Sequence, residues 1–139
     1  QAFVNSGLGA VHALTYPLGM EAELGHGLAN GVLLPHVMRY NVPAEVDRFA
    51  DVAELLGEER RPGESDRAFA DRSVEAVFDL LEDVDVPTNV AAYGDFDRGT
   101  FAEFADVAFE HSEHNIERNP RHMDREDVIG VFEAAVEGR

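Results

Sequence analysis

Gly27-Leu28-Ala29-Asn30-Gly31-Val32-Leu33-Leu34-Pro35-His36-Val37-Met38-Arg39-Tyr40 is the stretch on which the fold turns. Leu28, Val32, Pro35 and Val37 mix with Leu33 and Leu34, so a helix over these residues has little polar face left for water. Such a helix has to be buried by its neighbours, and the flanks supply them. Upstream, Val4, Leu8, Val11, Leu14 and Leu18 recur at three- and four-residue intervals and predict a helix over Phe3 to Leu18, with Pro17 ending or kinking it.

Downstream, Pro43 suits a first helical residue, and Val46, Phe49, Val52, Ala53 and Leu56 carry an apolar stripe that Gly57 stops. Glu58 to Glu64, with Pro62-Gly63, reads as a charged loop. Ser65 is placed to cap a long helix that carries Phe69, Val74, Val77, Phe78 and Leu81 and ends near Val84, with Pro87 beyond it. After turn-rich residues around Tyr93-Gly94, Asp97 can cap a helix containing Phe101, Phe104, Ala105 and Ala108, and Asn119-Pro120 marks the next break. Asp124 can cap the last helix, with Val128, Val131, Phe132 and Ala135 inward. No convincing strand alternation and no internal repeat occur, so the expected fold class is all-α, a single helical domain of about six helices over residues 1–139.

The 139 residues suffice for one sizeable core, burying roughly two thirds of the unfolded surface. The longest apolar runs, such as Gly31 to Pro35, are too short to cross a bilayer, so no membrane partner is expected. Against 28 Asp and Glu stand 11 basic residues, all Arg, for a formal charge of −17 that repels phosphate backbones and anionic lipid. Nucleic acid is thereby disfavoured as a partner. The lack of Lys and the dense carboxylates suggest an acidic, halophilic protein of a salty cytoplasm, where a Debye length of about 3 Å at molar salt screens the self-repulsion. With no cysteine there is neither a disulfide framework nor a thiolate metal site. No secretory signal is seen in Gln1 to Gly9, and a cytoplasmic location is the default expectation.

Two histidines stand out: His12 in Gly9-Ala10-Val11-His12-Ala13-Leu14 and His26 in Gly25-His26-Gly27-Leu28-Ala29-Asn30. They are too far apart to share one helix face, but a loop between two packed helices would let both imidazoles meet at one point. Imidazole is the commonest neutral metal ligand and suits iron or zinc. The glycines around His26 leave room for close approach. By spacing alone, a histidine in a mostly apolar helix is more often a satisfied core group than a ligand.

The run Asn5-Ser6-Gly7-Leu8-Gly9-Ala10-Val11-His12-Ala13-Leu14-Thr15-Tyr16-Pro17-Leu18-Gly19, followed by the two stretches from Gly25 to Asn30 and from Leu33 to Asn41, resembles the iron-containing alcohol dehydrogenase family. Weaker echoes continue in Val84-Asp85-Val86-Pro87, in Asn119-Pro120-Arg121 and in the last helix. The resemblance implies the helical C-terminal domain of a dehydroquinate synthase-like, two-domain oxidoreductase. In it, His12 and His26 ligate a divalent metal, Fe2+ or Zn2+, and Gly27 and Asn30 shape the site. It further implies hydride transfer between a small alcohol and the nicotinamide of NAD or NADP, with an aldehyde or ketone as the oxidised partner.

Two departures qualify that picture. Family members usually carry a His four residues after the first ligand, on the nicotinamide side, where this chain has Tyr16; a phenol can donate a hydrogen bond or pack on a ring but is a poor proton carrier at neutral pH. A buried Tyr16 with a satisfied hydroxyl is the competing structural account. The family's other two ligands, an Asp and a His, lie upstream of the matched segment, as does the α/β dinucleotide-binding domain; Gly7-Leu8-Gly9 follows no strand and cannot replace its glycine-rich turn. The expected partner is therefore that missing N-terminal domain, without which the chain should not oxidise alcohols. The rival expectation is a non-catalytic remnant or self-associating helical module, and a homo-oligomer is expected because apolar surface would otherwise be exposed. His111 and His114 could touch one ion but read more simply as an exposed helix end. His36 and Arg39 read as packing and surface-pairing groups, and Glu58-Glu59 and Glu82-Asp83-Val84-Asp85 as solvated faces.

Overall fold

A computed structural model describes residues 11, 13–18, 26–86, 89–94, 96–119 and 121–137, the backbone alone for 26–30, 92 and 93. Six α-helices and two 3-10 turns occur among the described residues, and no strand. Residue 11 and residues 13–18 form the described part of α1, and α2 spans His26–Asn41 with Pro35 inside it. The others are α3 (Val46–Leu55), α4 (Asp66–Asp83), α5 (Arg98–Glu117) and α6 (Arg125–Glu137). The part of the first helix expected before residue 11 lies outside the described residues, as do Pro87 and Pro120.

Burial explains why α2 lacks a polar face. Val32, Leu33 and Val37 join a cluster built from Val11, Ala13, Leu14 and Leu18 of α1, Phe101, Phe104, Ala105 and Ala108 of α5, and Val128, Ile129 and Phe132 of α6. A second cluster, of Val42, Phe49, Ala53, Phe69, Val74 and Phe78, packs the α3–α4 hairpin, with Met38 of α2 against it. α2 thus wedges between two apolar clusters. In the first, the Phe101 and Phe132 rings stack at 5.4 Å, and Phe104 meets Phe132 edge-on at 5.3 Å.

The helix ends follow local chemistry. Ser65 Oγ accepts from the Ala68 amide at 3.1 Å, and Asp97 accepts from the Thr100 amide at 2.8 Å. Asp124 and Asp127 each accept the other's amide, at 2.9 and 3.0 Å, in a reciprocal cap on α6. At the end of α3, Gly57 takes φ +91° while its amide reaches Glu54 and that of Glu58 reaches Ala53. The end of α4 repeats this geometry with Asp85 at φ 61°, its amide on Glu82 and that of Val86 on Leu81.

Pro43 does not open α3. It lies in a 3-10 turn over Val42–Ala44, and Glu45, at φ −142° and ψ 52°, separates that turn from α3. The physical reason is that Val42 is pulled into the second cluster, and the chain must turn from the line of α2 to deliver it there. Glu58 is also more engaged than a solvated face: it and Glu64 both accept from Arg72, at 2.8 and 2.9 Å, which folds the charged loop against α4.

Candidate functional site

On α1, Val11, Ala13, Leu14, Thr15, Pro17 and Leu18 are buried, whereas Tyr16 is 44% exposed. The inward stripe at 11, 14 and 18 turns Tyr16 toward the open side of the helix. The buried-aromatic account of Tyr16 is therefore replaced: the ring stands out of the core because its helix neighbours occupy the core. Its ring meets that of His111 on α5, with centroids 5.3 Å apart and planes at 44°. The adjacent Thr15 hydroxyl is buried and has no hydrogen-bond partner among the described residues.

His12 and the side chain of His26 lie outside the described residues; the backbone of His26 opens α2. His36 is buried and presents its ring edge-on to Phe78 at 5.3 Å, while the Arg39 guanidinium lies 5.1 Å from the centre of that same ring. Both are packing groups, as expected from the sequence. His111 and His114 do not share a regular helix end, because α5 continues to Glu117 and loses helical geometry at Ser112, with φ −141° and ψ 28°. Among the described residues, no three of His, Asp and Glu are gathered to hold a metal ion.

Asn119 and Arg121, two of the residues that echo the family, tie the α5–α6 connection to the end of α2. The Asn41 and Asn119 amides are buried and bond reciprocally, at 2.9 and 2.6 Å, and Asn119 also donates to the Arg121 carbonyl at 2.8 Å. The Arg121 guanidinium lies 4.3 Å from the Tyr40 ring centre and donates to the Tyr40 carbonyl, while the Tyr40 hydroxyl donates to the His122 carbonyl. Burial, then the nearby Asp127 carboxylate, pushes the Tyr40 phenol up to about 12. A groove of about 380 Å³ opens between α5 and α6 over Phe109, Ile116 and Met123, but neither Tyr16 nor His111 lines it.

These helices match known proteins along almost their whole length. The Fe-containing alcohol dehydrogenase family, C-terminal, matches residues 1–136. The chain belongs to the iron-containing alcohol dehydrogenase family. The 1,3-propanediol dehydrogenase of Klebsiella pneumoniae is 37% identical over 134 residues, covering 96% of this chain and 34% of that protein. Lactaldehyde reductase of Escherichia coli K12 is 35% identical over 137 residues, covering 96% of this chain and 34% of the relative. A solved 1,3-propanediol oxidoreductase superposes with a TM-score of 0.81 at 35% identity, over 90% of this chain and 32% of that one. The chain thus spans about a third of the length of these relatives, and its all-α architecture is that of the family's C-terminal domain. The family's description names iron, and a relative 33% identical over 139 residues is the NAD-dependent methanol dehydrogenase of Bacillus methanolicus. No helix among the described residues is long and apolar enough to cross a membrane.

Proposed function

We propose that the chain is the metal-ligating helical domain of an NAD(P)-dependent alcohol dehydrogenase that interconverts a small alcohol with an aldehyde or ketone. The observation that carries this reading is the family match across residues 1–136, which includes both His12 and His26. Two neutral imidazoles form a donor set suited to Fe2+ or Zn2+, and the chain has no thiolate to compete with them. His12 and His26 hold the metal, which when bound supplies Lewis acidity at the alcohol or carbonyl oxygen.

Tyr16, four residues after His12 and open to solvent on α1, lines the nicotinamide side. Its phenol donates a hydrogen bond or packs on a ring without carrying a proton at neutral pH. The dinucleotide is held by a separate α/β domain, and hydride transfer needs the cleft between the two. Alone, the chain does not oxidise alcohols.

Elemental analysis of untagged chain purified in molar salt, beside a His12→Ala, His26→Ala double variant, tests the metal assignment. Near-stoichiometric iron or zinc that disappears in the variant is the expected result; equal metal in both refutes these ligands. Adding the α/β domain of a relative should restore metal-dependent NAD(P) reduction, and persistent inactivity of the metal-loaded pair would favour a non-catalytic module. Leu80 and Val84, one turn apart on α4 and its end and both more than half exposed, favour self-association in either case. Sedimentation showing only monomer over a wide concentration range would refute it.

A further inference from the structure

We infer that His111, on α5, is a second wall of the Tyr16 site, placed beside the space that an alcohol or carbonyl substrate enters. The inference rests on Tyr16 being a site residue, as proposed above. Three observations carry it. The Tyr16 and His111 rings stand 5.3 Å apart although they come from distant parts of the chain, so packing of α1 against α5 brings them together. Both are exposed, in a region where most of their neighbours on α1 are buried, so the pair faces outward as a surface rather than filling the core. Helical geometry fails at Ser112, the residue after His111, and a break inside a helix that otherwise runs from Arg98 to Glu117 separates the direction of His111 from that of the turn after it.

The chemistry of the pair is complementary. A phenol both donates and accepts a hydrogen bond, and an imidazole offers one nitrogen of each kind in its neutral form. The His111 ring is exposed beside that of Tyr16, which places its nitrogens where an oxygen-bearing ligand can reach them. His114, beyond the break, makes no such ring contact with Tyr16 among the described residues. The two histidines, equivalent as letters three positions apart, are thus different in place.

The test uses the 139-residue chain with labelled histidine and tyrosine rings, in molar potassium chloride, titrated with Co2+ as a paramagnetic ion. Shifts and broadening from such an ion fall steeply with distance. His12→Ala, His26→Ala removes the proposed ligands, and subtracting its response removes Co2+ on surface carboxylates. The comparison ring is His36, ten residues after His26 in α2 and hence about 15 Å along the helix axis.

The expected result is that the His111 and Tyr16 ring signals move or broaden more than those of His36, and that the difference is lost in the double variant. His111 is exposed, so His111→Phe should fold and keep the ring contact, removing the assigned His111 signal while Tyr16 still responds. If Tyr16 responds and His111 does not, the inference about His111 is overturned while His12 and His26 stand as ligands. If Co2+ uptake and all ring signals are the same in wild type and double variant, the metal assignment itself fails and the inference falls with it.

Discussion

Replacing Asn41 by Ala should be among the most damaging single changes to this domain. The wild-type pair is buried, and each amide donates to the other, at 2.9 and 2.6 Å. Ala removes one donor and one acceptor. It leaves Asn119 Oδ1 without its partner, at a cost of about 1–3 kcal/mol for a buried unsatisfied group, and loses the net value of a second hydrogen bond, about 1 kcal/mol. The expected loss is therefore about 2–4 kcal/mol, a large share of the roughly 5–15 kcal/mol that holds a domain folded. At about 4 °C per kcal/mol for a chain of this size, thermal melts in molar salt should fall by about 8–16 °C. Asn119 keeps its bond to the Arg121 carbonyl, so the connection need not unfold locally. The sharper measurement is the cycle of Asn41→Ala, Asn119→Ala and the double variant. Because the second removal deletes the orphan created by the first, the double loss should be smaller than the sum by at least 1 kcal/mol. Additive losses, or an Asn41→Ala loss under 0.5 kcal/mol, would refute the amide pair as an energetic unit.

Further expectations follow from other contacts. Asp97→Ala removes the cap of α5 and should cost about 1 kcal/mol in a chemical melt, with Asp97→Asn costing far less. The native Asp97 carboxyl is held below its ordinary value, chiefly by the Thr100 amide, so its stabilisation is present above pH 4 and lost as pH falls through the depressed value; acid titration of the Asn variant should lack that component. For Tyr40 the sign is opposite: its folded value of about 12 lies above the ordinary 10, so stability is unaffected below pH 10 and lost as pH rises from there, and Tyr40→Phe should flatten that alkaline limb. Arg72→Lys should lower the midpoint of a chemical melt, since one ammonium cannot span Glu58 and Glu64 as the guanidinium does, and wild-type stability after this change would refute the clamp. Because 28 acidic residues oppose 11 basic ones, moving from molar to millimolar salt should lower the melting temperature, and an unchanged melt would count against the halophilic reading.

The features legible in the sequence were those set within a few residues. The apolar stripes of α4, α5 and α6, and the Ser65, Asp97 and Asp124 caps, depend on helical periodicity and on a side chain reaching an amide three positions on. The polarity-free α2 could be recognised as buried because no exposed helix survives without a polar face. For His12, His26 and Tyr16 the family resemblance supplies the expectation of a site, whereas spacing alone leaves a packing role open.

Tertiary structure decided what lies between distant segments. Nothing near Asn41 marks it as the partner of Asn119, because each amide is ordinary in its own neighbourhood and becomes costly only once packing excludes water from both. Pro43 has the local chemistry of a helix start, yet the second apolar cluster draws Val42 inward and turns the chain instead. The exposure of Tyr16 and its meeting with His111 are likewise set by how α1 is seated against α5, a relation that depends on the whole first cluster and not on either residue's sequence neighbours.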